Sequence, residues 1–459
     1  MLQQSTKINE YLKTVCEQIR WKKAHDIISK EIEDHIIDQK SAFMSNGLDE
    51  EMATDRAIAE MGDPIFVGME LDRTHRPKTE WSIIILTGII LLIGLIIRAF
   101  VMYDSNRPEM LTKSIISTIL GIGGMVGAYF IDFTIIGRYP KTIFFGLISA
   151  TIGIMMITPL VNGQYFYAQF MLLFFPTTFA GIIYSMRSKG YLGIIVSGLF
   201  WGITLFIGMA IPSLSSVILY SLSYLILLTF SICKGNFNVK KLNGLLLAYI
   251  PTIMTAVMSA FIMISNSPYR LNRLLITINP SLDPMGAGYM VNITRKIIAN
   301  AKLFGAGTLE VNGSIMLPTA YIGIDDYLLT YLIHRFGWIS FIIIMIVISL
   351  FITRAIMLFL RQKNVLGRLI AASVLIAFTV QVILYVANNL GFPLFSPLTL
   401  PLISYGRTAT IINMILIGIM LSVFKSGDLA REQTIISTGA RNTLFEIMDG
   451  KIIIHLNTK

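Results

Sequence analysis

Residues 81–102 read WSIIILTGIILLIGLIIRAFVM, a run of apolar residues that is long enough to cross a bilayer as one helix. A hydrocarbon core of about 30 Å requires about 20 helical residues. Nine further stretches of similar length follow, approximately at 115–133, 143–161, 166–186, 191–211, 217–233, 245–264, 327–352, 369–386 and 402–424. The sequence therefore predicts an all-α, polytopic membrane protein with ten transmembrane helices.

The composition of the chain supports this class. Of the 459 residues, 54% are hydrophobic and 14% are charged, whereas soluble domains carry about 25% charged residues. The net charge of +10 is unevenly distributed, because residues 1–80 hold 11 basic and 16 acidic side chains. The basic remainder is typical of membrane orientation and of contact with anionic membrane lipids, and we predict no nucleic-acid partner.

The first 80 residues have a helical pattern. Apolar periodicity indicates helices from Ala24 to Met44 and from Asp49 to Met61, and Asp63 followed by Pro64 predicts the start of a third. No long apolar run occurs in this segment, so we expect no cleavable signal peptide and a cytoplasmic position.

Three domains follow from this organisation. We expect a small cytoplasmic helical domain over residues 1–80, the membrane domain over 81–426, and a cytoplasmic tail over 427–459. The stretches at 28–35 and 61–64 resemble the prefix domain found ahead of bacterial permease-type membrane proteins. We expect a docking or regulatory role for this prefix domain and no chemistry.

The placement of lysine and arginine predicts the orientation of the spans. An even number of crossings returns the C-terminus to the side of the N-terminus. The predicted outer loops at 162–165 and 212–216 carry no charge, whereas the predicted inner loops hold Arg138, Lys141, Arg187, Lys189, Lys234, Lys240, Lys241, Arg354, Arg361, Lys363 and Arg368. The positive-inside rule therefore predicts that both termini are cytoplasmic.

Candidate acids and bases concentrate in one long outer segment, 265–326. Between residues 133 and 425 the only carboxylates are Asp283, Glu310, Asp325 and Asp326, and all lie in this segment. The predicted third to tenth spans contain no acidic residue, which argues against a proton- or sodium-coupled transporter. A carboxylate that acts as a general acid or base is expected among these four.

The four carboxylates differ in their surroundings. Asp283 precedes Pro284, which predicts an N-cap for a helix that runs to Phe304 and lies in the outer interface. Asp325 and Asp326 lie side by side at the start of the eighth span. In one interpretation, desolvation and mutual repulsion raise the pKa of one of these two carboxylates, and that carboxylate acts as a base. In the other interpretation the pair caps a helix N-terminus.

Two arginines, Arg335 and Arg407, indicate an anion site. His334 and Arg335 follow about nine residues after the predicted start of the eighth span, and Arg407 lies near the outer end of the last one. An arginine within a membrane needs a counter-anion, which a loop carboxylate or a lipid phosphate supplies. We therefore hypothesise an outward-facing polar cavity for an anionic lipid head group. The two cysteines, Cys16 and Cys233, indicate no disulfide framework, and no metal site is predicted.

A resemblance to a known family begins in the same segment. The residues that carry it are Arg270, Arg273, Asn279, Pro280, Asp283, Pro284, Gly286, Gly288, Tyr289, Leu303, Phe304, Gly305, Gly307, Leu317, Pro318, Ala320, Asp326, Tyr327, Gly337, the run Pro401–Gly406, and Asn413. These residues and the ten-span layout resemble the SEDS proteins, the FtsW, RodA and SpoVE cell-cycle proteins that polymerise peptidoglycan glycan strands in the bacterial plasma membrane.

The resemblance implies a substrate, a base and a partner. The substrate would be lipid II, a disaccharide-peptide on undecaprenyl pyrophosphate, and Asp326 would match the catalytic aspartate of the family. The candidate substrate-binding residues are Arg273, Lys302, Asp325, Arg335, Ser404 and Arg407. A class B penicillin-binding protein would be the partner, and the resemblance leaves a divalent cation open as a cofactor.

The sequence departs from the family at most of its acidic positions. Phe175–Thr178 and Pro212–Ser215 lack the carboxylates of the matching family elements, and His334 and Arg335 replace paired glutamates. Two alternatives to a peptidoglycan glycosyltransferase of division, elongation or sporulation therefore stay open. One is a catalytically inactive scaffold or regulator that binds a lipid-linked precursor or a partner, and the other is a lipid flippase.

Overall fold

A computed structural model describes most of the chain. The described residues are 2–75, 79–104, 108–160, 165–211, 213–265, 275–276, 278–286, 288–308, 310–311, 314–315, 326–392, 398–426, 445–448 and 451–454.

Four helices form the N-terminal unit: α1 (Leu2–Gln18), α2 (His25–Ser45), α3 (Glu50–Glu60) and α4 (Pro64–His75). The last three are the helices that the sequence predicted, and α1 was not predicted. Asp63 caps α4 as expected, because its Oδ1 accepts a hydrogen bond of 2.8 Å from the Ile65 amide. Val15, Ile36 and Ala57 are fully buried in a hydrophobic core that belongs to these helices alone.

The membrane part is built from fourteen helices in the described residues. They are α5 (Trp81–Asp104), α6 (Pro108–Phe130), α7 (Thr134–Arg138), α8 (Pro140–Ile157), α9 (Ala168–Met171), α10 (Phe175–Met186), α11 (Gly190–Ala210), α12 (Leu214–Cys233), α13 (Lys241–Ser265), α14 (Tyr289–Ala299), α15 (Leu328–Phe336), α16 (Trp338–Arg361), α17 (Val365–Asn389) and α18 (Arg407–Ser426). Two short antiparallel hairpins, which the sequence did not predict, pair β1 (Glu310–Val311) with β2 (Ser314–Ile315) and β3 (Phe445–Met448) with β4 (Lys451–Ile454).

Within the described chain, nine helical segments are long and apolar enough to cross a membrane. One of them, Ala168–Ala210, has 43 residues and contains two helical stretches: 168–186, which joins α9 to α10 through a 3₁₀ turn at Leu172–Phe174, and α11. The chain reverses at Gly190, whose φ of 56° is a left-handed conformation, so that α10 and α11 pack side by side. When these two stretches are counted separately, the number of crossings is the predicted ten.

Close packing between α6 and α18 depends on small residues. Gly121 and Gly124 of α6 face Met414 and Ile415 of α18, where an added Cβ would lie 3.1 Å and 2.9 Å from the nearest side-chain atoms. Glycine lets two transmembrane helices approach closely and gain van der Waals contact in a solvent where burial of apolar surface gains little. Glycine at these two positions therefore allows the close approach of α6 and α18.

A polar pair aligns α17 with α18 inside the bundle. Gln381 Nε2 donates to Asn413 Oδ1 at 3.0 Å, and Asn413 Nδ2 donates to Gln381 Oε1 at 3.1 Å. Both side chains are buried. Because neither amide can be left unpaired at low cost in such surroundings, the pair specifies one register between the two helices.

Candidate functional site

The predicted eighth span, 327–352, is two helices in the structure. Gly337 adopts φ 90° and separates the short helix α15 from the span α16. The prediction that His334 and Arg335 lie nine residues deep in a span is therefore wrong. They lie at the end of a separate short helix, where His334 is buried and Arg335 is exposed. A periodic pattern continues across such a break, because one glycine can redirect the backbone without interrupting the apolar residues around it.

The chain immediately before α15 is held by α17. Asn389 Nδ2 donates a hydrogen bond of 3.0 Å to the carbonyl of Asp326, and its Oδ1 accepts one of 3.1 Å from the Thr330 amide. The Thr330 hydroxyl donates to the carbonyl of Asn389 at 2.7 Å, and the Leu328 amide donates to the Tyr385 hydroxyl at 3.2 Å. The backbone at Asp326 is thus fixed, while its side chain is exposed.

A second carboxylate lies at this end of the bundle, which we call the Asp104 end because helix α5 ends there. The Tyr331 hydroxyl of α15 donates to Asp104 Oδ2 at 2.6 Å. The phenyl rings of Phe100 and Phe336 add an aromatic contact between the same two helices, with centroids 5.0 Å apart. Burial, and then the hydrogen bond to Asp104, raise the pKa of Tyr331, so the phenol stays a donor.

Sequence analysis missed Asp104 and its partner. The candidate carboxylates were sought between residues 133 and 425, whereas Asp104 is the last residue of α5, the first span. Tyr331 and Asp104 are 227 positions apart. Nothing in the local pattern links them, although a carboxylate at the end of a span was a visible signal.

The other end of α15 is held by the segment 302–307. The amides of Gly305 and Gly307 donate to the carbonyls of Phe336 and His334 at 3.0 and 2.7 Å, and the Trp338 amide donates to the Lys302 carbonyl at 3.0 Å. The side chain of Lys302 is exposed. Both Lys302 and Arg335 therefore lie at the Gly337 end of α15, whereas Asp326 precedes its first turn.

His334 is a buried histidine beside this segment. Within the described part of the chain its Nδ1 has no hydrogen-bond partner. Burial, followed by the positive charge of Arg335, lowers the pKa of His334. The imidazole is therefore neutral at pH 7 and contributes no positive charge to the predicted anion site.

The turn before the last span is closed on itself. The Leu400 amide donates to Ser404 Oγ at 2.9 Å, and this hydroxyl donates to the Leu400 carbonyl at 3.2 Å. Ser404 is 1% exposed. Its hydroxyl therefore serves the turn and does not line an open surface, which differs from the predicted contact with substrate. Arg407, the first residue of α18, is exposed.

Among the residues that the structure describes, the arginine buried within a span is Arg98, which was not a predicted site residue. Its side chain is 2% exposed, and its Nε donates to the Gly94 carbonyl at 3.0 Å. Gly94 packs directly against the backbone of Leu402, so this face of α5 meets the Ser404 turn. Among the described residues Nη2 of Arg98 has no acceptor. The arginine that needs a counter-anion within the membrane is therefore Arg98 and not, as predicted, Arg335.

Three predicted residues remain: Arg273, Asp325 and Asp283. Arg273 and Asp325 lie outside the described residues. Asp283 does not begin the predicted helix, because its Oδ1 accepts from the Gly286 amide at 3.0 Å in a turn and α14 begins only at Tyr289. The described residues contain no group of three His, Cys, Asp or Glu side chains that could hold a metal ion.

The fold and this site define a multi-pass α-helical membrane protein with an exposed aspartate and several basic side chains at one end of the bundle. A family model described as cell cycle protein, FTSW_RODA_SPOVE, matches residues 77–428. The chain belongs to this FtsW, RodA and SpoVE family of cell cycle proteins.

Individual relatives are distant. The probable peptidoglycan glycosyltransferase FtsW of Trichlorobacter lovleyi is 26% identical over 171 residues, which cover 37% of this chain and 44% of the relative. Stage V sporulation protein E of Bacillus subtilis is 24% identical over 168 residues, 36% of this chain and 45% of the relative. Peptidoglycan glycosyltransferase MrdB of Escherichia coli is 27% identical over 157 residues, 34% of this chain and 42% of the relative. The chain thus spans less than half of these relatives.

Two solved structures share the fold. One, from a study of polymerization and crosslinking by a peptidoglycan synthase complex, has a TM-score of 0.57 at 14% identity and covers 77% of this chain and 99% of that one. The rod shape determining protein RodA of Thermus thermophilus has a TM-score of 0.51 at 13% identity and covers 76% of this chain and 97% of that one. At this identity the similarity establishes the fold.

Proposed function

We propose that the chain is a peptidoglycan glycosyltransferase that polymerises lipid II at the outer face of the bacterial plasma membrane. The observation that carries the proposal is the position of Asp326, an exposed carboxylate on a backbone that Asn389 holds at 3.0 Å. A general base must be both accessible to its substrate and fixed in direction. Family membership and the glycosyltransferase names of the relatives support the assignment.

The reaction assigns one role to Asp326. Its carboxylate takes the proton of the 4-hydroxyl on the acceptor sugar, and the hydroxyl oxygen bonds to the anomeric carbon of the donor. The bond from that carbon to the undecaprenyl pyrophosphate oxygen breaks, and the pyrophosphate leaves with its electron pair. Cationic side chains stabilise the charge that develops on the leaving group.

We assign the pyrophosphate to basic groups at the Gly337 end of α15 and at the start of α18. Arg335 and Lys302 are exposed at its Gly337 end, and Arg407 is exposed at the start of α18. Arg273 completes this cationic set, and Asp325 is a further proposed substrate-binding residue that does not hold the pyrophosphate. Ser404 positions the turn that leads to Arg407, through its hydrogen bonds with Leu400. No step is assigned to a metal ion.

The proposed orientation places the Asp104 end outside the cell and both termini in the cytoplasm. Lysine and arginine in the loops at the opposite end support this direction. The prefix domain, 1–80, and the tail, 427–459, then lie in the cytoplasm, flanking the membrane domain, 81–426. A class B penicillin-binding protein that cross-links the product is the proposed partner.

A polymerisation assay tests the proposal. Purified full-length protein, alone and with a class B penicillin-binding protein, receives labelled lipid II, and glycan strands are resolved on a gel. We expect strands from the wild type and none from Asp326→Asn, with lipid II binding retained. Asp283→Asn is the matched control, because its retained Oδ1 can still accept from Gly286. Strands from Asp326→Asn would remove this residue from catalysis.

One observation favours the scaffold alternative. At the element where the family carries a glutamate, Thr177 and Thr178 are buried, and their hydroxyls bond within the bundle, to Ser373 Oγ at 3.3 Å and to the Phe175 carbonyl at 2.8 Å. A catalytically inactive relative that binds lipid II or a partner would tolerate this loss. Wild-type protein that binds lipid II but makes no strands, with or without the partner, would select this alternative.

A further inference from the structure

Helix α4 exposes an apolar face that has no partner in the described chain. Its inner face packs on α1, where Gly68 lies against the Val15 carbonyl. On its outer face Ile65, Phe66 and Met69 are 50%, 67% and 60% exposed. At 100° per residue these three side chains form one stripe. A stripe of large exposed apolar residues on a small domain indicates a surface that binds a membrane or another protein.

The connection to α5 places this stripe close to the membrane. Helix α4 ends at His75, and the hydroxyl of Thr79 is already 3.0 Å from that of Tyr129, at the end of the span α6. Four residues cover at most about 14 Å. The C-terminal end of α4 therefore stays within about 14 Å of this end of the bundle, and α4 is the helix of the prefix domain that lies nearest to it along the chain.

Although the domain as a whole is acidic and Glu70 is exposed on α4, two exposed arginines lie where they can meet lipid phosphate. Arg73 lies on the same outer face, near the end of α4 that connects to the span, and is exposed. Arg20 lies beside it, because its backbone amide donates to Asp72 Oδ1 at 2.9 Å and its Nε lies 3.9 Å from Asp72 Oδ2; the Arg20 side chain is 78% exposed, so its remaining N–H groups can also meet a phosphate. A helix with an apolar stripe and flanking arginines is typical of interfacial helices, which bury the stripe below the head groups and pair the cations with lipid phosphates.

We propose that α4 is an interfacial helix that seats the prefix domain on the anionic lipid surface at the Trp81 end of the bundle. The stripe inserts Ile65, Phe66 and Met69 among the acyl chains, and Arg20 and Arg73 contact phosphate. Lipid is the proposed occupant because the short tether keeps the C-terminal end of α4 beside the bilayer whether or not a second protein is present, and from there the stripe is within reach of the acyl chains.

Fluorescence of the full-length chain in nanodiscs tests this placement. Cys16→Ser and Cys233→Ser remove the native thiols, and Phe66→Cys introduces a site for a polarity-sensitive dye. Glu33→Cys, at an exposed position of α2, is the matched control. In nanodiscs with phosphatidylglycerol we expect blue-shifted emission at position 66 and about twofold stronger quenching by doxyl lipid than at position 33.

The contribution of charge is tested separately. Arg20→Gln with Arg73→Gln should reduce the quenching at position 66 in phosphatidylglycerol, with little change in phosphatidylcholine. Emission at position 66 that matches position 33, with equal quenching by aqueous iodide, would overturn the proposal and leave the stripe to a protein partner or a second copy. The assay is independent of glycan polymerisation.

Discussion

The hydroxyl of Tyr331 donates a 2.6 Å hydrogen bond to Oδ2 of Asp104, which joins the short helix before the eighth crossing to the end of the first. The same helix is bonded to α17 through Thr330 and Asn389. The backbone that presents Asp326 is therefore supported from two spans that are distant in sequence. This double support gives an exposed turn a defined position.

Removing the Tyr331 hydroxyl should weaken one of these supports. We expect Tyr331→Phe to lower the free energy of unfolding by about 1–2 kcal/mol, since the bond is made to a carboxylate but Asp104 can regain water. Thermal unfolding of the purified protein measures this. Tyr103→Phe is the control, because Tyr103 is 88% exposed, and an equal loss in both variants would contradict the role of the bond.

The side chain of Asn389 should contribute strongly to the stability of the protein and to the position of Asp326. Asn389→Leu removes four side-chain hydrogen bonds, to the Asp326 carbonyl, the Thr330 amide, the Thr330 hydroxyl and the Tyr385 carbonyl. We expect a loss of about 3 kcal/mol in unfolding free energy, because the buried groups left behind are unpaired. On the proposed function, polymerisation should fall further than lipid II binding. Normal polymerisation by a folded Asn389→Leu protein would show that Asp326 does not depend on this support.

Gly337 should tolerate no side chain. Its φ of 90° disfavours other residues, and a Cβ there would lie 2.5 Å from the Leu303 carbonyl. Gly235 has a similar φ of 79° with nothing within 4 Å of an added Cβ. We expect Gly235→Ala to cost about 1 kcal/mol and Gly337→Ala about 3 kcal/mol or more. Equal melting temperatures for the two variants would contradict the steric argument.

Acidification should destabilise the protein through His334. Its pKa is lowered in the folded state, so between the unfolded value of about 6.5 and the folded one the unfolded chain binds more protons. This contribution to the free energy of unfolding is complete above the pKa of the unfolded state and decreases as the pH falls towards the pKa of the folded state. Melting temperatures between pH 7.5 and 5 should fall less for His334→Phe than for the wild type. The exposed control His35→Gln should keep the wild-type slope.

Replacement of Arg98 should not weaken the fold. Its guanidinium is buried, and within the described residues one of its nitrogens has no acceptor, so the desolvation of the charge is not fully compensated. We expect Arg98→Met to be neutral or to stabilise by about 1 kcal/mol. A strong fall in melting temperature would indicate that Arg98 holds an anion that is part of the folded protein.

The amino-acid sequence alone determined the membrane class, the number of crossings, three helices of the prefix domain and the cap at Asp63. These features depend on apolar run length, helical periodicity and capping, which act over a few turns of chain. Counting carboxylates reduced the candidate acids and bases to four, and the resemblance to the SEDS proteins selected Asp326. Neither could show that Gly337 redirects the chain or that the Ser404 hydroxyl closes its own turn.

Only the tertiary structure decided which groups support that aspartate. The contacts from Tyr331 to Asp104 and from Asn389 to Asp326 join positions 227 and 63 residues apart. A residue type at one end of such a contact does not specify its partner, because distance in space is set by how all the spans pack together. The burial of Arg98 and the exposure of Arg335 were decided in the same way.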